Sequence, residues 1–392
     1  MSVTSPAPDG SATRSARQDF WLIALLSAVT AIGPFTLHLL APALPQISAQ
    51  FDVPPAWAQP LLSLSLVAMG IANLIWGLVL GAAGSALAAM APELWLAVIG
   101  RLLQAVGGSA GMVLARAVAQ DVFGSARSAA VIGQITAVMV VAPMIAPTIS
   151  GMMVEDIGWR GIFWLAAALT ALLVIWSRAS LVETAPKGGA SAKLGDMLRG
   201  FRIIGARGGF WRYAGYAACS LAGFYYFVGI TPYVMQDAFG QGPAAYGFYF
   251  IMLSGTYMVT NFLCGPVTAR FGAERTLIWG ALLSFAGPTL SGALLLAGFD
   301  HPIVLFAPGM LQSLGAGLAV PNAMAHAVAA APERAGAASG LLGASQFLLA
   351  AVTTQIGGFL DHSVALIVPG GEGLMMIVGL LGLALLRRPA KA

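Results

Sequence analysis

Residues 57–95, WAQPLLSLSLVAMGIANLIWGLVLGAAGSALAAMAPELW, contain no Lys, Arg or Asp, and Glu93 is their only ionisable residue. The part from Leu61 to Ala91 carries no charge over 31 residues. A helix needs about 20 residues to cross a bilayer core of about 30 Å. The stretch is therefore too long for one ordinary crossing and short for two, and the way it crosses decides the topology of the chain.

The composition is that of a membrane protein. Of 392 residues, 58% are hydrophobic and 9% are charged, and the mean hydropathy is +0.85. No soluble domain of this size needs so much apolar surface, so lipid must be the solvent over most of the chain. The net charge of +4 comes from basic residues that border apolar segments. This placement favours orientation in a membrane and argues against a nucleic-acid partner.

Apolar segments of membrane-spanning length follow one another along the chain. Residues 1–19 are polar and are predicted to be a disordered cytoplasmic N-terminus. The first segment is long enough for an uncleaved helix, and a cleaved signal peptide is the less favoured alternative. The predicted spans are 20–41, 57–91 (to be divided), 95–116, 129–151, 161–177, 213–235, 245–268, 276–297, 303–325, 336–358 and 364–386.

Loops between these segments alternate in charge, and the alternation decides how 57–91 crosses. Loops with Arg127 and with the segment 178–212 are basic, whereas those near Asp52 and Asp237 are acidic. The positive-inside rule places basic loops in the cytoplasm. Two crossings within 57–91, with a turn near Trp76–Gly81, put every basic loop on that side. We therefore predict twelve helices with both termini in the cytoplasm.

The two halves of the chain repeat each other. The sequence LQAVG at 103–107 recurs as LQSLG at 311–315, and ARAVA at 115–119 recurs as AHAVA at 325–329. The repeat predicts an all-α membrane protein with two six-helix halves, 20–177 and 213–388, joined by a cytoplasmic linker at 178–212. Such repeated halves with a site between them are typical of transporters.

The same repeat reveals a missing piece. Gly265 lies 46 residues before Leu311, whereas the equivalent Gly77 lies only 26 residues before Leu103. The first half is therefore about 20 residues short, and helices 2 and 3 are predicted to be shortened. The second half keeps a basic loop that contains Arg270 and Arg275.

Several motifs together identify a family. They are Gly33-Pro34 with Pro42-Ala43-Leu44-Pro45, Arg101-Leu102-Leu103-Gln104, Ala115-Arg116-Ala117, Ala142-Pro143 with Ala146-Pro147 and Gly151, Gly158-Trp159-Arg160, Pro321-Asn322 and Gln346-Phe347-Leu348. The chain resembles the major facilitator superfamily, specifically its bicyclomycin-resistance (Bcr/CflA) drug-efflux branch, over about residues 20–388. The resemblance implies a twelve-helix transporter in which Pro143, Pro147 and Gly151 form the antiporter motif of the fifth helix.

Two departures from that family matter for mechanism. Its loop G-x-x-x-D-R-x-G-R-R should follow Gly77 and is absent. Its usual Asp in the first helix is replaced by His38. The loss of the loop leaves Arg116 with Asp121 as its nearby sequence partner. We interpret both, together with Arg270 and Arg275, as cytoplasmic anchors.

Ionisable groups inside spans are the first candidates for proton coupling. His38 can exchange a proton near physiological pH, and the alternative is a neutral imidazole that bonds a backbone carbonyl. Resemblance suggests conformational coupling for Arg101, and the alternative is snorkelling to the interface. Glu372 follows Gly370-Gly371 near the start of the last span and is interpreted as an outer-end residue, and a role in the cavity is the less favoured alternative.

Polar and aromatic residues within spans are candidates for the substrate path, although helix packing also explains them. No ATP-binding, protease or metal motif is visible, so no enzyme activity, cofactor or metal is expected. We predict a monomeric bacterial plasma-membrane exporter of a small amphipathic compound, exchanged for protons. The alternative is a non-transporting scaffold that has lost its gating loop. The substrate-path candidates are Phe35, Asn73, Gln104, Gln134, Tyr225, Tyr226, Asn261, Gln312, Asn322 and Gln346.

Overall fold

The computed structural model describes residues 15–71, 77–180 and 194–386, and these are almost entirely helical. Among them, 8 helices are long and apolar enough to cross a membrane, and shorter apolar helices cover Leu78–Ala89 and Leu94–Ser109. The α-helices are α1 (Ala16–Leu39), α2 (Leu44–Gln50), α3 (Pro55–Ala58), α4 (Pro60–Ile71), α5 (Gly77–Ala89), α6 (Leu94–Ser180), α7 (Leu194–Gly205), α8 (Gly208–Asp237), α9 (Pro243–Phe271), α10 (Ala273–Leu296), α11 (Ile303–Ala329), α12 (Ala335–Gly357) and α13 (Ile367–Leu385).

The helical segment α6 cannot be straight. Its 87 residues would extend about 130 Å at the rise of an α-helix. A Cβ on Gly108 would lie 2.6 Å from Gly33 of α1, yet Ser150 donates a hydrogen bond to the carbonyl of Leu39, less than two turns farther along α1. The chain therefore reverses between Gly108 and Ser150. It reverses again near Gly158, whose φ is +71°, so α6 supplies the fourth, fifth and sixth crossings.

The helix α4 is only half of a crossing. Just before it, Gln59 donates a 2.7 Å hydrogen bond to the carbonyl of Gly229 in α8. Near its other end, a Cβ on Gly70 would lie 3.3 Å from the Cβ of Phe347, in the middle of α12. Its 12 residues span about 18 Å, compared with a hydrocarbon core of about 30 Å.

The helix α5 returns toward the end of the bundle from which α4 starts. A Cβ on Gly81 would lie 3.4 Å from the side chain of Thr170 and 3.6 Å from Gly107. Farther along, a Cβ on Gly84 would contact the carbonyl oxygen of Gly100 at 2.5 Å. Since Gly107 and Gly100 belong to one pass of α6, α5 runs antiparallel to that pass over 13 residues.

The chain doubles back as predicted, but the turn was placed too late. The structure has α4 ending at Ile71 and α5 beginning at Gly77, and residues 72–76 lie outside the described ranges. Gly81, expected in the turn, is helical instead and allows α5 to approach α6. The short helices 2 and 3 of the prediction are thus confirmed, with α4 ending near the middle of the membrane depth.

The sequence repeat corresponds to a repeated packing contact. In the first half, a Cβ on Gly84 of α5 would lie 2.6 Å from the backbone nitrogen of Gln104. In the second half, a Cβ on Gly287 of α10 would lie 2.9 Å from the backbone nitrogen of Gln312. Each of the two repeated glutamines therefore lies at a helix–helix contact that a glycine of the neighbouring helix makes possible, in agreement with two equivalent halves.

The two ends of the bundle differ in charge. At the basic end, ion pairs join Arg127 to Asp19 at 3.3 Å, Arg207 to Glu333 at 2.5 Å and Arg212 to Glu274 at 3.5 Å. The acidic end carries the loops and helix ends that contain Asp52, Asp237 and Asp361. That the basic end faces the cytoplasm stays a prediction from charge.

The predicted linker 178–212 is partly helical. Within it, α7 packs on α12, because the Phe201 ring lies 3.3 Å from a Cβ placed on Gly340. The last residues of the predicted linker belong to α8, which begins at Gly208. There the indole of Trp211 donates a 2.8 Å hydrogen bond to the carbonyl of Gly205 and joins the two helices.

Candidate functional site

A cavity of about 260 Å³ lies between the two halves. This is slightly below the usual range of about 300–1,000 Å³ for small-molecule sites. Helices α1, α4 and α6 line it from the first half, and α8, α9, α11, α12 and α13 line it from the second. Its lining residues are Pro34, His38, Met69, Met139, Pro143, Ser220, Leu221, Phe224, Tyr225, Phe227, Phe250, Leu253, Ser254, Tyr257, Gln312, Ser313, Ala316, Val320, Phe347 and Glu372.

Contacts between the halves close this cavity on the acidic side. Helices α4 and α12 are joined by the hydrogen bond from Ser63 to Gln355, at 2.8 Å. Ser48 of α2 and Tyr233 of α8 share a 2.8 Å hydrogen bond. By contrast, none of the ion pairs found at the basic end, within the described ranges, joins the first half to the second. The conformation is therefore closed at the acidic end.

The wall of the cavity is largely aromatic. The rings of Phe224 and Tyr225 lie 5.3 Å apart, and those of Phe224 and Phe250 lie 6.3 Å apart. Tyr257 and Phe347 complete this wall from α9 and α12. The sequence singled out Tyr225 but missed Phe250, Tyr257 and Phe347, because nothing in the sequence shows which face of a uniformly apolar helix points inward.

His38 lies in the cavity wall and is 3% exposed. Its Nδ1 donates a 2.8 Å hydrogen bond to the carbonyl oxygen of Pro34, since a carbonyl can only accept. The neutral ring then carries its proton on Nδ1 and a lone pair on Nε2. This Nε2 atom is buried without a hydrogen-bond partner among the described residues. The backbone bond and a free proton acceptor thus coexist in one side chain.

Glu372 also lines the cavity, which favours the alternative of a cavity role over its interpretation as an outer-end residue. It lies in the second turn of α13, is 5% exposed, and is the one buried carboxylate in the part of the chain that the structure describes. The side chain of Gln312 in α11 is hydrogen-bonded to it. Its position near the start of the predicted span suggested the outer end, but α13, which begins at Ile367, turns this carboxylate inward.

Arg101 lies beside the cavity and does not form its wall. It is 2% exposed and donates a hydrogen bond to the side-chain oxygen of Gln104. Gln104 in turn donates a 2.6 Å hydrogen bond to Ser85 of α5. The guanidinium is close enough to interact electrostatically with His38 and Tyr225. It is therefore a fixed positive charge behind the first-half wall, and snorkelling does not describe it.

The other substrate-path candidates occupy different surroundings. Gln312 reaches the cavity, whereas Asn322 bonds Thr268 of α9 at 3.0 Å through its amide nitrogen. Gln346 reaches the carbonyl of Ala217 at 3.4 Å. Among the remaining candidates, Phe35 packs against the core, Asn261 bonds Tyr257, the hydroxyl of Tyr226 donates to the carbonyl of Ile367, Gln134 is exposed on α6, and Asn73 lies outside the described residues.

The antiporter motif lies where the halves meet. Pro143 lines the cavity. A Cβ on Gly247 of α9 would lie 2.7 Å from the carbonyl oxygen of Pro147, and a Cβ on Gly151 would lie 3.1 Å from Ala244. The backbones of α6 and α9 therefore approach closely, and bulk added here would separate the halves.

The predicted cytoplasmic anchors lie on helices at the basic end. Asp121 on α6 is exposed, as are Arg270 in the last turn of α9 and Arg275 in the first turn of α10. The guanidinium of Arg270 lies 5.4 Å from the Phe271 ring. The side chain of Arg116 lies outside the described part of the chain.

Comparison with known proteins gives one family over the whole chain. The family described as Major Facilitator Superfamily matches residues 20–234 and 213–392. A bicyclomycin resistance protein homolog of Haemophilus influenzae is 27% identical over 86% of this chain and 88% of its own length. The multidrug resistance protein MdtL of Escherichia fergusonii is 25% identical over 80% of this chain and 84% of its own length.

Solved structures agree on the fold. A bacterial homolog of the human lysosomal transporter Spinster, in an inward-facing and unoccupied conformation, has a TM-score of 0.69 at 12% identity and covers 95% of this chain and 96% of its own. A D-xylose-proton symporter has a TM-score of 0.69 at 14% identity and covers 96% of this chain and 99% of its own.

Proposed function

Because this chain belongs to the major facilitator superfamily, we propose that it is a secondary active exporter of a small amphipathic compound, exchanged for protons by alternating access. It is a multi-pass membrane transporter with bacterial transporter relatives. Export, proton coupling and the bacterial plasma membrane as its location are the proposed part. A monomer suffices, since one chain supplies every helix around the cavity.

The observation that carries this proposal is the cavity between the repeated halves. It is bounded by helices of both halves and closed at the acidic end by bonds such as that from Ser63 to Gln355. A site between two halves becomes accessible from either side when the halves rock about it. With the basic end in the cytoplasm, the described conformation would take up its substrate from inside the cell.

We assign proton exchange in the first half to His38. His38 lines the cavity, where a proton can arrive whenever the site opens to water, and its Nε2 has no hydrogen-bond partner among the described residues. The positive charge of Arg101 behind the wall opposes a second positive charge on His38. In this proposal His38 takes up or releases its proton according to the side of the membrane to which the cavity is open.

In this proposal the substrate path is formed by Tyr225, Gln312 and the neighbouring aromatic rings, with Phe35 packed behind them. Pro143, Pro147 and Gly151 form the contact on which the halves move. Gln104, Asn322 and Gln346 hold helices together within each half, where their hydrogen bonds lie.

Everted membrane vesicles provide the test. Respiration acidifies their interior, and a fluorescent pH indicator reports the gradient when a panel of neutral, anionic and cationic amphipaths is added. We expect at least one compound to be accumulated and to dissipate the gradient only in vesicles that contain the protein. If no compound is accumulated and the gradient never responds, the protein is the non-transporting scaffold and the proposal is wrong.

A further inference from the structure

We propose that the cavity binds organic monocations and that Glu372 holds them in exchange for one proton. This inference rests on the proposed function and names its substrate class. Glu372 lines the cavity from α13, opposite His38 on α1. It is the buried carboxylate of the described chain, so it supplies the negative charge that a cation would meet there.

The surroundings of Glu372 do not neutralise it. Its described partner is the side chain of Gln312, which is uncharged. No Lys or Arg within the described residues forms an ion pair with it. A buried carboxylate without a counter-charge is costly, so it takes up a proton or pairs with a cation. The empty site therefore carries the proton, and the occupied site carries the ligand.

The aromatic wall suits the rest of such a ligand. Phe224, Tyr225 and Tyr257 face the cavity within the same half as Glu372. Faces of aromatic rings attract cations and also pack against flat apolar groups. Apolar residues such as Met69 and Met139 complete the first-half side of the cavity. Methionine side chains adapt to irregular shapes. A planar cation with a delocalised charge is the ligand that fits both features.

Proton and charge balance follow from a single shared carboxylate. When the cation enters, the O–H bond of protonated Glu372 breaks, the proton leaves to water on the side to which the cavity is open, and the carboxylate pairs with the cation. When the cation leaves, one proton returns. At Glu372, one monocation therefore exchanges for one proton, and this site has the same net charge whether it holds the proton or the cation.

Other titratable groups face the same space. They are His38 on α1, Tyr225 and Tyr226 on α8, and Tyr257 on α9. Helices α10 and α11 present Pro288 near α13 and Gln312, which do not titrate. A protonated His38 would repel the cation, so its effect must be separated from that of Glu372. The variant His38→Gln does this.

Binding of N-methylacridinium to the purified full-length protein tests the inference, with acridine as a neutral probe of nearly the same size. We expect Glu372→Gln to weaken N-methylacridinium binding by at least about tenfold, while acridine binding changes by less than about twofold. Asp361→Asn, which removes an exposed carboxylate just before α13, should leave both affinities unchanged.

The pH dependence gives a second readout. In His38→Gln, cation binding should be weaker at about pH 6 than at about pH 9, because protons compete for the carboxylate, and this difference should vanish when Glu372→Gln is added. Equal cation affinity in wild type and a folded, monodisperse Glu372→Gln overturns the inference, as does a wild type that binds acridine as tightly as N-methylacridinium. Binding requires no transport, so cation binding without proton-coupled transport would contradict the proposed function alone.

Discussion

The hydroxyl of Ser63 on α4 donates a 2.8 Å hydrogen bond to the side-chain oxygen of Gln355 on α12. The amide nitrogen of the same Gln355 donates a 2.8 Å bond to the carbonyl of Ala56. One side chain therefore ties the half-length α4 and the segment before it to the opposite half. These bonds lie at the acidic end, where they hold the two halves together and keep the cavity closed.

Replacing Gln355 should weaken that closure. In Gln355→Ala the hydroxyl of Ser63 and the carbonyl of Ala56 both lose their partner, which costs about 1–3 kcal/mol. Spin labels at Glu93 and Asp361, on different halves, should show a population with longer separations. Gln236→Ala removes an exposed amide at the same end and should leave the distances unchanged, and so should Gln355→Ala if the tie has no role.

His38→Ala should reduce the number of protons exchanged per substrate while leaving the fold intact. The lost Nε2 is the first-half proton acceptor in the cavity, whereas the lost Nδ1 bond serves only the Pro34 carbonyl. In everted vesicles that contain this variant, substrate should dissipate less of the pH gradient than in vesicles with the wild type, because Glu372 can still exchange its proton. His301→Ala changes an exposed histidine outside the cavity and should behave as wild type. Unchanged coupled transport in His38→Ala would remove His38 from the mechanism.

A methyl group on Gly108 should destabilise the protein. Its Cβ would lie 2.6 Å from the Cα of Gly33, so the backbones of α1 and α6 would have to move apart. Overpacking of this kind costs about 1–3 kcal/mol. Thermal unfolding in detergent should show a lower Tm for Gly108→Ala. Gly255→Ala is the matched control, because no atom lies within 4 Å of its added Cβ, and equal Tm values would argue against the close contact.

Acid should weaken the protein through His362 in the loop before α13. Burial lowers the pKa of His362 below its ordinary value of 6.5, despite the opposing charge of Asp237. The folded state therefore takes up this proton less readily than the unfolded state, so stability is complete above about pH 6.5 and falls as the pH drops from there toward the folded pKa.

Thermal unfolding at about pH 8 and about pH 5 measures this effect. His362→Gln should lose less of its Tm on acidification than wild type, with a difference of about 1–3 °C. The variant His301→Gln, at an exposed loop position, should lose as much as wild type. An acid response that His362→Gln does not reduce would show that other groups cause it.

Much of the fold could be predicted because the lipid bilayer restricts the structures that a chain can adopt across it. Composition gave the helical class, and the charged loops required two crossings between Trp57 and Trp95. The place of the reversal was missed, because Gly81 could serve a turn or a helix contact equally well. Only the packing against Gly107 decides between them, and packing is not visible in a single sequence.

The candidate site was only partly predictable, for the same reason. An ionisable residue inside a membrane span is costly and usually functional, so the sequence was enough to make His38 and Arg101 candidates. Their surroundings could not be predicted: His38 lines the cavity, whereas Arg101 lies behind its wall. Glu372 was placed at a helix end because two glycines precede it. Its inward direction depends on where α13 begins and on contact with Gln312.

Export requires the cavity to open to the cytoplasm at the basic end, which in turn requires the chain to double back between α4 and α5. Cysteine labelling of the full-length protein tests this threading most directly, with the two native cysteines, both buried, replaced by serine. A membrane-impermeant maleimide should reach Arg127→Cys and Arg202→Cys only from the cytoplasmic side, and Glu93→Cys and Asp361→Cys only from the periplasmic side. Labelling of Arg127→Cys or Arg202→Cys from the periplasm would contradict it.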